Sequence, residues 1–242
     1  MNIAVVTNLY PPVVLGGYEI LCQSVCRRLA GRGHRITVLT SDFCAPVDDS
    51  GDPEIPVHRT LHLSRPLDQP VTGRDRWARL RAGRHNEAIS RAFLETNRPD
   101  VVWIWSQLRM GPESARAASR MGFPVGYSLN DIHPQSLMPA PWSLRPRGLA
   151  GFVLDRTVFR NCTLGGMDLA PSTIISKCLK DDLVASGVPA QQARVIHQGI
   201  EVDEFNVKER PGSLSSPLRV LYAGQLHDYK GVHTVLEAAH RV

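Results

Sequence analysis

The residues best placed to do chemistry lie in loops that follow apolar runs. The first is Asn8-Leu9-Tyr10-Pro11-Pro12-Val13-Val14-Leu15-Gly16-Gly17-Tyr18-Glu19, after the run Ile3 to Thr7. Adjacent glycines at a helix start let an anion approach the free N–H groups there, aided by the helix dipole. The same pair can equally do no more than turn the chain. Glu19, in the first turn, suits a carboxylate that favours the dipole better than a catalytic group. A second loop runs from Asn130 to Trp142 and carries Asn130, Asp131 and His133. Both loops follow strand ends, where ligands of open parallel sheets bind, which makes Tyr10, Asn130, Asp131 and His133 candidate site residues. A lone histidine before Pro134 is also an ordinary loop residue.

A third cluster is electrostatic. Arg74, Arg76, Arg79, Arg81, Arg84 and His85 crowd one stretch against only Asp75 and Glu87, with Trp77, Leu80, Ile89 and Phe93 available as a buried stripe. Such a helix could lie against anionic lipid or hold an anionic ligand, but the pattern fits a solvated basic face better. The five cysteines, Cys22, Cys26, Cys44, Cys162 and Cys178, are odd in number and scattered. No pair has zinc spacing, so no metal site is expected and the cysteines read as reduced, small apolar residues.

Positioning these groups requires a regular frame, and the chain supplies one. Strand-like runs occur at Ile3 to Thr7, Ile36 to Thr40, Val57 to Leu63, Val101 to Trp105, Val125 to Leu129, Leu169-Ala170 and Val195-Ile196. Several are apolar on consecutive residues, which suits parallel strands covered on both faces. Between them, Tyr18, Leu21, Cys22, Val25 and Leu29 have helical spacing, ended by Gly31 and Gly33. Arg74 to Thr96, Glu113 to Met121, Leu149 to Asn161 and Thr173 to Ser186 supply further helices. Alternation of strand and helix predicts an α/β fold, a Rossmann-like parallel sheet with helices on both faces.

Length and composition agree. The chain has 242 residues, 43% hydrophobic and 21% charged, which are globular values. Lys+Arg 28 against Asp+Glu 23 gives +5, nearly all of it arginine, with lysine only at Lys177, Lys180, Lys208 and Lys230. That excess is small and no DNA- or RNA-binding motif accompanies it, so no nucleic-acid partner is expected. No membrane-spanning run and no signal-peptide layout are present, and the expected location is cytoplasmic, peripheral at the inner membrane face if the basic helix binds lipid.

Three segments are expected: 1–207 as a first domain, 208–217 as a Pro/Gly/Ser linker, and 218–242 as a new beginning. Leu218 to Ala223 reads as a fresh strand and Val232 to His240 as the start of a helix, the first βα unit of a second α/β domain that the chain does not complete.

Pro11-Pro12, Gly16-Gly17-Tyr18-Glu19 and the stretch Leu29 to Thr40 together resemble the N-terminal domain of family 4 glycosyltransferases. The resemblance continues at Pro171-Ser172, at Val195 to Glu201 with Phe205, and at Val220 to Leu226 followed by Tyr229-Lys230-Gly231, and so covers essentially the whole chain. It implies the N-terminal half of a GT-B fold, with two Rossmann-like domains facing across a cleft. It also implies retaining transfer of a sugar from a nucleotide-diphosphate donor to a sugar or small-molecule acceptor, without a further cofactor or metal. On this resemblance Gly16 and Gly17 lie near the donor diphosphate and the acceptor. Lys230 matches the basic residue that neutralises the leaving diphosphate, as a fixed cation would.

Two departures weigh on catalysis. Asn130-Asp131 stands where the family usually has His-Asp; asparagine does not titrate but still hydrogen-bonds a hydroxyl. Gln225 replaces the arginine that usually partners the lysine, and so removes one of two cations. The alternative reading is therefore a non-catalytic relative that binds sugar or activates a partner. A dinucleotide-dependent oxidoreductase is excluded by the missing GxGxxG fingerprint. The chain alone, holding only the start of the donor domain, is expected to transfer no sugar.

Overall fold

The computed structural model describes residues 1–44, 54–67, 69, 75–200, 202, 220–224, 226 and 230–241. The chain forms two compact units, Met1–Gln198 and Gly199–Val242. The expected boundary at 207 lies outside the described residues. The expected linker 208–217 lies outside the described residues.

The first unit is built on seven strands: β1 (Asn2–Val6), β2 (Arg35–Ser41), β3 (Val57–Leu61), β4 (Val101–Ile104), β5 (Val125–Leu129), β6 (Ser172–Ile174) and β7 (Arg194–Val195). Their order is β3-β2-β1-β4-β5-β6-β7, every neighbouring pair parallel. The helices are α1 (Gly17–Gly31), α2 (Asp75–Asn97), α3 (Glu113–Arg120), α4 (His133–Ser136), α5 (Pro146–Arg156) and α6 (Lys177–Ala185), with a 3₁₀ turn at Arg160–Cys162.

The pleat of β1 divides the core. Ile3 and Val5 join Ile36, Val38, Cys22 and Cys26 under α1. Ala4 and Val6 point the other way, to Leu39, Val102 and Ile104 under Phe93 and Leu94 of α2 and Ala115 and Ala118 of α3. Alternate residues of one strand thus serve two helical layers, which is why the strands are apolar on consecutive positions. The chain moves outward from β1 to β3 and returns to β4, so the direction of winding reverses between β1 and β4. Such a switch point opens a crevice at the strand C-termini. α1 ends where expected, with Gly33 at φ +85 turning the chain into β2.

Several elements differ from expectation. The sixth strand is Ser172–Ile174, not Leu169-Ala170. Proline has no N–H, so pairing begins at the Pro171 carbonyl, which accepts from Tyr127 N at 3.1 Å, while Leu169 is buried core outside the ladder. Thr173 and Ile174 belong to that strand rather than to a helix, and α6 starts after its Ser176 cap. The helix expected over Leu149 to Asn161 begins at Pro146, as suits proline in a first turn, and ends at Arg156. Trp77 is exposed, standing edge-on to Phe159 with ring centroids 5.2 Å apart, while Phe93 is buried as expected.

In the second unit the described residues show one helix, α7 (Val232–His240), which begins after Gly231. Val220 to Ala223 lie in no strand; Leu218 and Arg219 are outside the described residues.

Candidate functional site

The loops after β1, β4 and β5 converge at the switch point. The α1 N-terminus faces them through Tyr18, whose hydroxyl donates to the Trp105 carbonyl just beyond β4. Asn130, just beyond β5, donates its side-chain amide to the same hydroxyl at 2.6 Å. The Tyr18 and Trp105 rings pack 5.3 Å apart. Burial pushes the Tyr18 phenol far above its ordinary pKa, outweighing the Asn130 hydrogen bond that favours its ionised form. The hydroxyl therefore remains a donor at any working pH. The Asn130 side-chain oxygen makes no hydrogen bond among the described residues and is free to accept one.

Around these three residues lies a cavity of about 30 Å³, lined also by Ser106, Gln107, Asp131 and His133. It has room for a water or two, or for one hydroxyl-bearing edge of a ligand. Three nitrogens near it, Trp105 Nε1, Gln107 Nε2 and His133 Nε2, are buried without a hydrogen-bond partner. A buried polar group left unpaired costs on the order of 1–3 kcal/mol, so a ring of them signals a ligand or solvent that completes the set.

His133 opens the short helix α4. Asp131 Oδ1 accepts from its backbone N–H at 2.8 Å, and its Nδ1 lies 3.2 Å from Ser136 Oγ. Burial lowers the imidazole pKa, against the raising influence of the Asp131 carboxylate, so the ring is neutral near pH 7. Asp131 itself is an exposed turn-former.

Gly16 is extended, at φ −168, and Gly17 opens the helix; neither adopts a conformation that demands glycine. A Cβ at either would meet no protein atom within 4 Å. Turn geometry and internal packing thus leave both glycines unexplained, and their bareness faces outward. Glu19 is buried and accepts from Gly16 N at 3.0 Å and Leu15 N at 3.3 Å, which fixes it as the brace of the loop.

The structure corrects one assignment. Tyr10 is fully buried, a member of the cluster under α1 that also holds Cys22, Ile36 and Trp105, and so serves as a wall of the core rather than facing a ligand. Two site residues escaped sequence reasoning. Tyr18 has helical core spacing and reads as a stripe residue, and Trp105 reads as the end of a strand. Their signal was position at the strand C-termini beside the switch point.

Lys230 is exposed and belongs to the second unit; Gln225 lies outside the described residues. Among the described residues no group of His, Cys, Asp and Glu could hold a metal, and no helix is long and apolar enough to cross a membrane.

This doubly wound sheet, with its ligand crevice at the switch point, is the frame of a Rossmann-like sugar transferase domain. The chain belongs to the glycosyl transferase 4-like family, whose domain matches residues 16–199. It is 23% identical to the uncharacterized glycosyltransferase MJ1607 of Methanocaldococcus jannaschii, over 100% of this chain and 60% of that protein. It is 39% identical to the amylovoran biosynthesis glycosyltransferase AmsK of Erwinia amylovora over 64 residues, 26% of this chain and 16% of that one. Among solved structures the glycotransferase of kitacinnamycin superposes with a TM-score of 0.50 at 19% identity, covering 98% of this chain and 63% of its own. The chain thus spans less than two thirds of these relatives, and the shared architecture is GT-B.

Proposed function

We propose that the first unit is the acceptor side of a retaining glycosyltransferase that uses a nucleotide-diphosphate sugar. The observation that carries this reading is the set of buried, unpartnered nitrogens, Trp105 Nε1, Gln107 Nε2 and His133 Nε2, on residues that line a small pit at the switch point. Such a pit suits hydroxyl groups. It is too small for a nucleotide diphosphate, which is why the donor is assigned to the second unit.

In this account the acceptor hydroxyl enters the pit and donates to the Asn130 oxygen, while Tyr18 holds the asparagine in place. The bare Gly16-Gly17 edge lets the donor phosphate or an acceptor oxygen come close to the helix N-terminus. As the glycosidic bond to phosphate breaks, negative charge grows on the diphosphate and Lys230 offsets it. Asn130 takes no proton, so as the acceptor oxygen bonds to the sugar carbon and the sugar–phosphate bond breaks, the hydroxyl proton passes to an oxygen of the leaving diphosphate.

The test is a panel of UDP-, GDP- and ADP-sugars, assayed for donor hydrolysis and transfer with a protein that joins this chain to a complete second domain. Turnover of one donor, lost on Lys230→Ala, supports the reading. Sugar binding without turnover of any donor would favour a non-catalytic sugar-binding relative.

A further inference from the structure

We propose that the stretch from Trp142 to Arg160, between β5 and β6, docks the protein on an anionic lipid bilayer. This goes beyond the sugar-transfer reading and does not depend on it. The segment presents an unusual exposed apolar set: Trp142 is 62% exposed and Leu144 88%, and Leu149 and Val153 project from α5 one turn apart. Phe152 ties this face together, with the Trp142 ring 5.3 Å away and the Arg156 guanidinium 3.6 Å over its own ring.

The charge on the same segment is of one sign. Arg145, Arg147, Arg156 and Arg160 are all exposed, and none is paired with a carboxylate among the described residues. The only acid in the segment, Asp155, is buried; it pairs with Arg76 of α2 and accepts from Ala140 N at 2.8 Å. The outward surface is therefore indole and aliphatic groups interleaved with unpaired guanidiniums. Tryptophan settles at the headgroup level of a bilayer, leucine just beneath it, and arginine reaches back to anionic headgroups. Protein interfaces also use aromatic residues and arginine; the single sign of the outward charge on this segment is what favours an anionic bilayer.

The same contacts decide against α2 as the docking helix. Arg76 is spent on Asp155, Arg79 is half-buried, and Ala82 and Phe93 face the core.

Co-sedimentation of the 242-residue chain with vesicles tests the proposal. Vesicles of phosphatidylcholine mixed with phosphatidylglycerol should bind it, pure phosphatidylcholine should not, and salt should weaken binding. The double variant Trp142→Ala/Leu144→Glu and the double variant Arg145→Gln/Arg147→Gln should each bind about tenfold more weakly. Arg81→Gln/Arg84→Gln should bind like the parent. All these positions are exposed, and circular dichroism will verify that each variant is folded. No binding, equal binding to both vesicle types, or unchanged binding by the Trp142/Leu144 variant would overturn the proposal. So would self-association of the parent, seen by sedimentation velocity and abolished in the Trp142/Leu144 variant, which would make the face an interface between copies.

Discussion

The side-chain amide of Asn130 donates to the Tyr18 hydroxyl at 2.6 Å, across 112 residues of sequence. Because that hydroxyl in turn donates to the Trp105 carbonyl, one hydrogen-bonded chain ties the start of α1 to the ends of β4 and β5. The strands and the helix that bracket the switch point are thereby locked in one arrangement. Each link has a measurable cost.

Tyr18→Phe keeps the ring packing on Trp105 but leaves a buried carbonyl and the Asn130 amide without their partner. The expected loss is about 1–3 kcal/mol of stability. Urea denaturation at neutral pH should give an earlier midpoint with an unchanged slope. An unchanged midpoint would mean that the two groups find other partners.

Asn130→Ala removes the group assigned to the acceptor hydroxyl. In a protein with both domains it should weaken acceptor binding by ~1–2 kcal/mol, the worth of one hydrogen bond, and leave donor hydrolysis without acceptor unaffected. Equal loss of both activities would place Asn130 outside the acceptor pocket.

Gly17 separates a structural role from a ligand role. Since a Cβ there meets nothing within 4 Å, Gly17→Val should leave the melting temperature of the chain unchanged and Gly17→Ala should raise it slightly. Both should nevertheless impair transfer, valine more severely, if a ligand occupies the space. A valine variant with full activity would return the glycine pair to the status of a plain turn.

These residues show what a sequence discloses. Every parallel strand of the first unit except the sixth was legible, because consecutive apolar residues between helical stretches reflect burial on both faces. The sixth was displaced by Pro171, whose missing N–H shifts where pairing can start. That Asn130 and His133 come to line one cavity was legible, because they follow a strand end. Tyr18 was not, because helical spacing marks a face, not what the face meets. Nor was Tyr10, since a tyrosine in a loop gives no sign that the loop folds inward over α1. The short helix α4 rests on the Asp131 turn and has no periodicity to announce it.

Glu113, at the start of α3, yields a prediction about pH. Its carboxyl is buried, cradled so closely that a Cβ at Gly83 or Gly111 would come within 2.2 or 2.4 Å of it. Burial pushes its pKa from 4.5 up to about 7, and its own backbone N–H, the Cys162 thiol and the nearby Arg79 only partly oppose this. The folded protein therefore holds a proton that the unfolded chain has already released between these values. Stability should be greatest below pH 4.5 as far as this group is concerned, and fall by about 3 kcal/mol as pH rises to 7. Glu113→Gln should flatten that decline, as read from urea midpoints at pH 5 and pH 8. An equal decline in the variant would assign it to other groups.

The division of labour between the two units is tested most directly by calorimetric titration of the 242-residue chain with UDP-, GDP- and ADP-sugars. A pit of about 30 Å³ cannot seat a nucleotide diphosphate, and Lys230 is exposed to water, where a charge contributes little. The account predicts no micromolar binding and no turnover by this chain alone, with both appearing when a complete second domain is joined to it. Micromolar binding to the chain by itself, or any turnover, would mean that the first unit carries a donor site, and would contradict the assignment of the switch-point pit to the acceptor.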